Sequence, residues 1–100
     1  MDITVQELKK RLDADDRFIF IDVREVHEYE EFNLGAKLIP LNSLPSQLDY
    51  FDGAEQDEIV IHCRSGARSG QAQRFLQQMG FANVRNLEGG VMEWMAQFGK

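Results

Sequence analysis

Two short segments, Phe18-Ile19-Phe20-Ile21 and Ile59-Val60-Ile61, are apolar at every position. A strand with one wet face alternates apolar and polar side chains, because neighbours point to opposite faces of the sheet. Unbroken runs suit strands covered on both faces, as in a parallel sheet packed between helices. The intervening segments supply such helices. Thr4 and Glu7 form a capping-box pattern ahead of Val5, Leu8 and Leu12, which have helical spacing. The polar stretch 13–16 breaks that helix. A short charged helix is expected over 25–32, ended by Gly35, and a short strand at Lys37-Leu38-Ile39-Pro40. Asn42 or Ser43 is placed to cap a further helix through Phe51, with Pro45 in its first turn. Ala72, Phe75, Leu76 and Met79 mark a helix over 67–79, with Gly80 as its C′ residue. A last strand is expected over 84–87, then a turn at Gly89-Gly90 and a closing helix over 91–98 anchored by Trp94. Strands that alternate with helices predict an α/β fold with a mainly parallel sheet.

The chain has 100 residues, so a single domain spanning 1–100 is expected. Its 43% hydrophobic content is enough for one core, although short chains bury a smaller share of their surface. The net charge of −6 argues against nucleic acid or an anionic membrane as a partner. No basic segment followed by an apolar run opens the chain, and no run approaches membrane-spanning length. A soluble, cytoplasmic protein is the expectation.

There is one cysteine, which excludes an internal disulfide and an all-cysteine metal cluster. Cys63 stands where the second apolar strand ends, followed by Arg64-Ser65-Gly66-Ala67-Arg68-Ser69 and then a helix. In open α/β sheets ligands bind beyond the carboxyl ends of the strands. Backbone N–H groups of such a loop, with the first turn of the helix, can converge on one anion. Gly66 supplies the backbone freedom a tight loop needs. A thiol held there titrates below its free value of about 8.5. Arg64 and Arg68 add two cations, able to orient an anionic donor or to pair with a carboxylate.

The stretch Cys63-Arg64-Ser65-Gly66-Ala67-Arg68-Ser69 resembles the active-site loop of the rhodanese family. Asp22-Val23-Arg24-Glu25 resembles the family's early acidic-basic motif, and Gly89-Gly90-Val91-Met92-Glu93-Trp94 its C-terminal glycine-pair and tryptophan motif. The resemblance runs over essentially the whole chain. It implies the rhodanese fold, a five-stranded parallel sheet with helices on both sides, and a cysteine persulfide intermediate. One departure is visible: Phe32-Asn33-Leu34-Gly35-Ala36 stands where the family often has His-Ile-Pro-Gly-Ala.

The reaction so implied is sulfur transfer through Cys63, with residues 64–68 binding the donor and with Asp22, Arg24 and Ser69 in support. The donor is a small sulfur anion such as thiosulfate. The acceptor is cyanide, a thiol or a protein partner. No metal or organic cofactor is required. Asp22 is expected to cap the turn after its strand or to pair with Arg24 or Arg68. His62 is expected to point away from the loop and pack, by strand alternation, and His27 to be exposed. Two histidines and one cysteine so far apart make a poor metal site. Cysteine phosphatase or arsenate reductase chemistry is the rival, but the cysteine phosphatases have five residues between cysteine and arginine. Here four residues, Arg64 to Ala67, separate Cys63 from Arg68, and position 69 is serine. The other rival is a binding module, against which the intact Cys63 loop counts.

Overall fold

A computed structural model describes residues 1–100. The elements are α1 (Val5–Asp13), β1 (Ile19–Asp22), α2 (Val26–Glu31), β2 (Lys37–Leu38), a 3₁₀ segment (Leu41–Phe51), β3 (Glu58–His62), α3 (Ala67–Gln78), β4 (Asn83–Asn86) and α4 (Gly90–Phe98). The four strands lie in the order β2-β1-β3-β4, all parallel. Ile19 to Asp22 of β1 stand beside Ile59 to His62 of β3 without a slip.

The sheet is covered on both faces, as the apolar runs require. Ile21, Ile59 and Ile61 point into a core with Ala72 and Leu76 of α3 and with Leu44 and Phe51 of the 3₁₀ segment. Val60, one residue out of phase with Ile59 and Ile61, points to the other face and packs with Val5 and Leu8 of α1. Trp94 of α4 rests half-buried on that second cluster, edge-on to Phe98 at 4.8 Å between ring centroids. The alternation along β3 therefore decides which side chains meet which helix layer.

Three expectations need correction. The sheet has four strands, not five. A fifth is reduced to one parallel bridge between Ile3 and Leu87. The Thr4 side chain accepts from the Glu7 amide at 3.1 Å and starts α1 at the next residue, so no chain is left to extend the pairing. The Thr4–Glu7 capping box closes on one side only, because Glu7 ion-pairs with Arg85 instead. The segment before Phe51 is 3₁₀ in two pieces with a kink at Gln47, and it follows Pro40 directly, with no cap from Asn42 or Ser43.

The Gly89-Gly90 pair does more than turn the chain. Both residues have positive φ, +76° at Gly89 and +58° at Gly90. A Cβ on Gly90 would stand 2.6 Å from the carbonyl groups of Cys63 and Arg64. Only glycine allows α4 to press its first turn onto that loop. There Val91 N–H donates to the Cys63 carbonyl at 3.0 Å and Met92 N–H to the Arg64 carbonyl at 2.9 Å. Gly90→Ala adds backbone strain and a backbone clash together, and lowers stability by about 2 kcal/mol or more. Urea unfolding of the variant checks this, and an unchanged midpoint would show that the close approach is not tight.

Candidate active site

The strand order changes direction between β1 and β3. The chain goes from β1 outward to β2, then returns to lay β3 on the other side of β1. A crevice opens beyond the carboxyl ends of two such strands. Asp22 ends β1 there, and Cys63 follows the last residue of β3.

Cys63 is 1% exposed, at the centre of a tight loop. Gly66 N–H donates to its Sγ at 3.1 Å, with Gly66 at φ +108°. Ser69 N–H points at the same sulfur at 3.4 Å, and the Ser69 hydroxyl lies 3.3 Å away. The donors thus come from the loop and from the first turn of α3. Burial pushes the Cys63 thiol up. The Ser69 hydroxyl and the amides of Ser69, Gly66 and Ser65 outweigh that and bring it below its ordinary value. Hydrogen bonds at the sulfur therefore carry the acidity.

The six other loop residues divide by role, and exposed Ser65 contributes through its backbone N–H. Gly66 and Ser69 touch the sulfur; Ala67 opens α3 and is exposed. Arg68 turns outward into a two-pronged pair with Glu28 of α2, at 2.7 and 2.9 Å. The Arg68 guanidinium holds the Glu28 carboxyl well down, at about 2. Arg64 is exposed and makes no side-chain hydrogen bond or ion pair. It lines a cleft of about 120 Å³ with Arg24, Glu28 and Val91, large enough for a small anion.

Asp22 pairs with Arg24, not Arg68. The Arg24 Nη2 lies 2.7 Å from Asp22 Oδ2, and the Arg24 amide donates to Asp22 Oδ1 at 3.0 Å. Cap and ion pair are therefore one arrangement. Both side chains are almost fully buried, at 4% and 0% exposure. Losing either would strand the other charge, which is worse than never having had the pair. Arg24 also donates to the Phe32 carbonyl at 2.7 Å, which ties down the segment that departs from the family pattern.

His62 obeys the alternation argument. It is fully buried against the Phe20 ring at 5.4 Å, on the side away from Cys63 Sγ. Burial holds its imidazole below the usual range, against an opposing pull from Asp22. His27 is exposed, and no three His, Cys, Asp or Glu side chains are grouped to hold a metal.

Glu28 and Asn86 were not singled out by the sequence. Glu28 meets Arg68 across 40 residues, and Asn86 meets Ser69 across 17. Neither spacing leaves a periodic trace.

The family model for the Rhodanese-like domain matches residues 4–97. The chain belongs to that family. This rhodanese-like chain is 32% identical over 94 residues to a protein of Allochromatium vinosum named sulfurtransferase, covering 93% of the chain and 86% of the relative. It is 35% identical over 94 residues to YrkF of Bacillus subtilis, named as a candidate sulfur carrier protein. That match covers 93% of the chain but spans only 50% of YrkF. The crystal structure of a rhodanese-like domain protein from Staphylococcus aureus superimposes with a TM-score of 0.83 at 32% identity, over 94% of this chain and 91% of that one. The rhodanese-like α/β fold is thereby established, with a parallel sheet between helices. No helix is long and apolar enough to cross a membrane.

The donor set around Sγ makes a prediction about reactivity. Iodoacetamide alkylation of Cys63 follows a pH midpoint below that of a free thiol, about 8.5. A midpoint at or above that value would mean the three donors do not stabilise the thiolate.

Proposed function

We propose that this chain is a sulfurtransferase that moves a sulfane sulfur from a small anionic donor such as thiosulfate to cyanide or a thiol, through a persulfide on Cys63. The observation that carries this reading is the convergence of Gly66 N–H, Ser69 N–H and the Ser69 hydroxyl on one sulfur atom. Donors fixed around a sulfur suit a reaction in which sulfur gains and loses negative charge.

In the first half-reaction the Cys63 thiolate attacks the outer sulfur of thiosulfate. The S–S bond to Cys63 forms as the donor's own S–S bond breaks, and sulfite leaves with that electron pair. The enzyme keeps Cys63–S–S⁻. In the second half-reaction cyanide attacks the outer sulfur, thiocyanate departs, and the Cys63 thiolate is restored. Such chemistry is covalent and ping-pong. Arg64, unpaired on the rim of the small cleft, meets the incoming anion. Ser65 and Ala67 complete the loop backbone, while Asp22, Arg24 and Arg68 hold its surroundings through closed ion pairs.

The net charge of −6 does not oppose an anionic donor. Surface charges are screened over about 8 Å in physiological salt, so the amides and Arg64 dominate at the sulfur. Delivery to a protein acceptor is the second reading, favoured by the sulfur-carrier name of one relative. The loop also separates this chemistry from phosphate transfer, because Arg68 is engaged with Glu28 rather than facing the sulfur.

Intact-mass measurement after thiosulfate treatment tests the proposal. One sulfur is gained, and cyanide removes it. In Cys63→Ser, nearly isosteric and unable to form the persulfide, neither the gain nor thiocyanate production is seen, while the unfolding midpoint stays close to wild type. Turnover by the purified serine variant would rule out Cys63 as the sulfur carrier.

A further inference from the structure

Ser69 has one hydroxyl hydrogen and two acceptors within reach. Its Oγ stands 2.6 Å from Asn86 Oδ1 and 3.3 Å from Cys63 Sγ. The Asn86 amide cannot be turned over. Its Nδ2 donates to the Gly66 carbonyl at 3.1 Å, and a carbonyl only accepts, so the oxygen end must face Ser69. A hydroxyl 2.6 Å from an amide oxygen donates to it. Asn86 is also fixed from behind. Its N–H donates to Asp2 Oδ1 at 3.1 Å, and its carbonyl accepts from Ile3 N–H at 3.0 Å.

We propose that Asn86 is a positioning residue that governs Cys63 by competing with its sulfur for the Ser69 hydroxyl hydrogen. In the thiol state the Cys63 S–H donates to Ser69 Oγ, and Ser69 donates to Asn86 Oδ1. When the thiol proton leaves to solvent, the Ser69 O–H turns to the thiolate and Asn86 loses its bond. Ser69 keeps its own hydrogen in both states, so no proton passes along the relay. On the sulfur-transfer reading, on which this step alone rests, the persulfide resets the relay. Sγ then becomes a neutral bridging sulfur, the charge sits on the outer sulfur, and the Ser69 hydrogen returns to Asn86. Asn86 thus holds the thiolate above its lowest attainable energy and favours its conversion to persulfide.

The charged and titratable groups on the surrounding elements include Arg64, Arg68 and Arg74 of the loop and α3, Asp22 and Arg24 at the end of β1, Glu58 and His62 of β3, Glu28 of α2, Arg85 of β4, Asp2 behind Asn86, and Glu88 and Glu93 at the start of α4. Asp22–Arg24 and Glu28–Arg68 are closed pairs, and burial holds His62 below its usual range against the pull of Asp22. None of them donates to Ser69 Oγ.

The relay gives Ser69 and Asn86 opposite signs. Iodoacetamide alkylation against pH, on the full chain, reads the thiol directly and is independent of any sulfur donor. A failed relay and a failed sulfur-transfer reading therefore give different results. Ser69→Ala raises the Cys63 midpoint. Asn86→Ala lowers it by about half a pH unit, about threefold more thiolate on the acid side. With Ser69 already replaced, Asn86→Ala has no further effect. A midpoint that rises in Asn86→Ala, or shifts equally with and without Ser69, would overturn the relay and mark Asn86 as a prop for the Gly66 loop. Should Asn86→Ala fail to fold, the ¹³C shift of the Asn86 side-chain carbonyl in wild type decides. It follows the Cys63 titration and stays flat in Ser69→Ala; a flat wild-type curve overturns the proposal.

Discussion

The site depends on which way one short loop faces its polar backbone. The carbonyls of Cys63 and Arg64 are taken by the Val91 and Met92 N–H groups at the start of α4. With those acceptors turned to one side, the N–H groups of Gly66 and Ser69 are left facing the sulfur on the other. A buried polar backbone group costs free energy unless paired, so the two sets of bonds are a single requirement. Gly90 makes the arrangement sterically possible, since any Cβ there would enter the carbonyls it must approach. The glycine-pair motif near the C-terminus and the cysteine loop are thus one structure, although 27 positions separate Cys63 from Gly90 in the chain.

Charge around the loop is arranged so that little of it acts on the sulfur directly. Asp22 with Arg24, and Glu28 with Arg68, cancel in pairs and brace the walls of the crevice. Of the loop's two arginines, only Arg64 is left unpaired, on a cleft that Glu31 and Lys100 also line. The thiol is made acidic by hydrogen-bond donors at 3.1 to 3.4 Å, which act at short range where burial weakens competition from water. A net charge of −6 therefore does not set the electrostatic surroundings of the sulfur.

Much of this was legible in the sequence. The unbroken apolar runs located β1 and β3, and strand alternation put Cys63 and His62 on opposite faces. The position of Cys63 between a strand and a helix located the crevice. What escaped was set by contacts between distant segments. The partner of Arg68 is Glu28, which in sequence is one acid in a charged helix. The role of Asn86 exists only because β4 brings it to α3. Gly90 reads as a turn until its neighbour is seen to be the backbone of Cys63 and Arg64. The expected fifth strand stopped at one bridge because Thr4 commits the next residue to α1.

The central claim is that the loop amides bind charge at the cysteine sulfur. Amide proton shifts before and after thiosulfate loading test it most directly. A heteronuclear NMR comparison of ¹⁵N-labelled protein predicts the largest displacements at Gly66 and Ser69, reversed by cyanide, with the far strands unmoved. Sulfur gained by Cys63 with no displacement of those two amides would contradict the account.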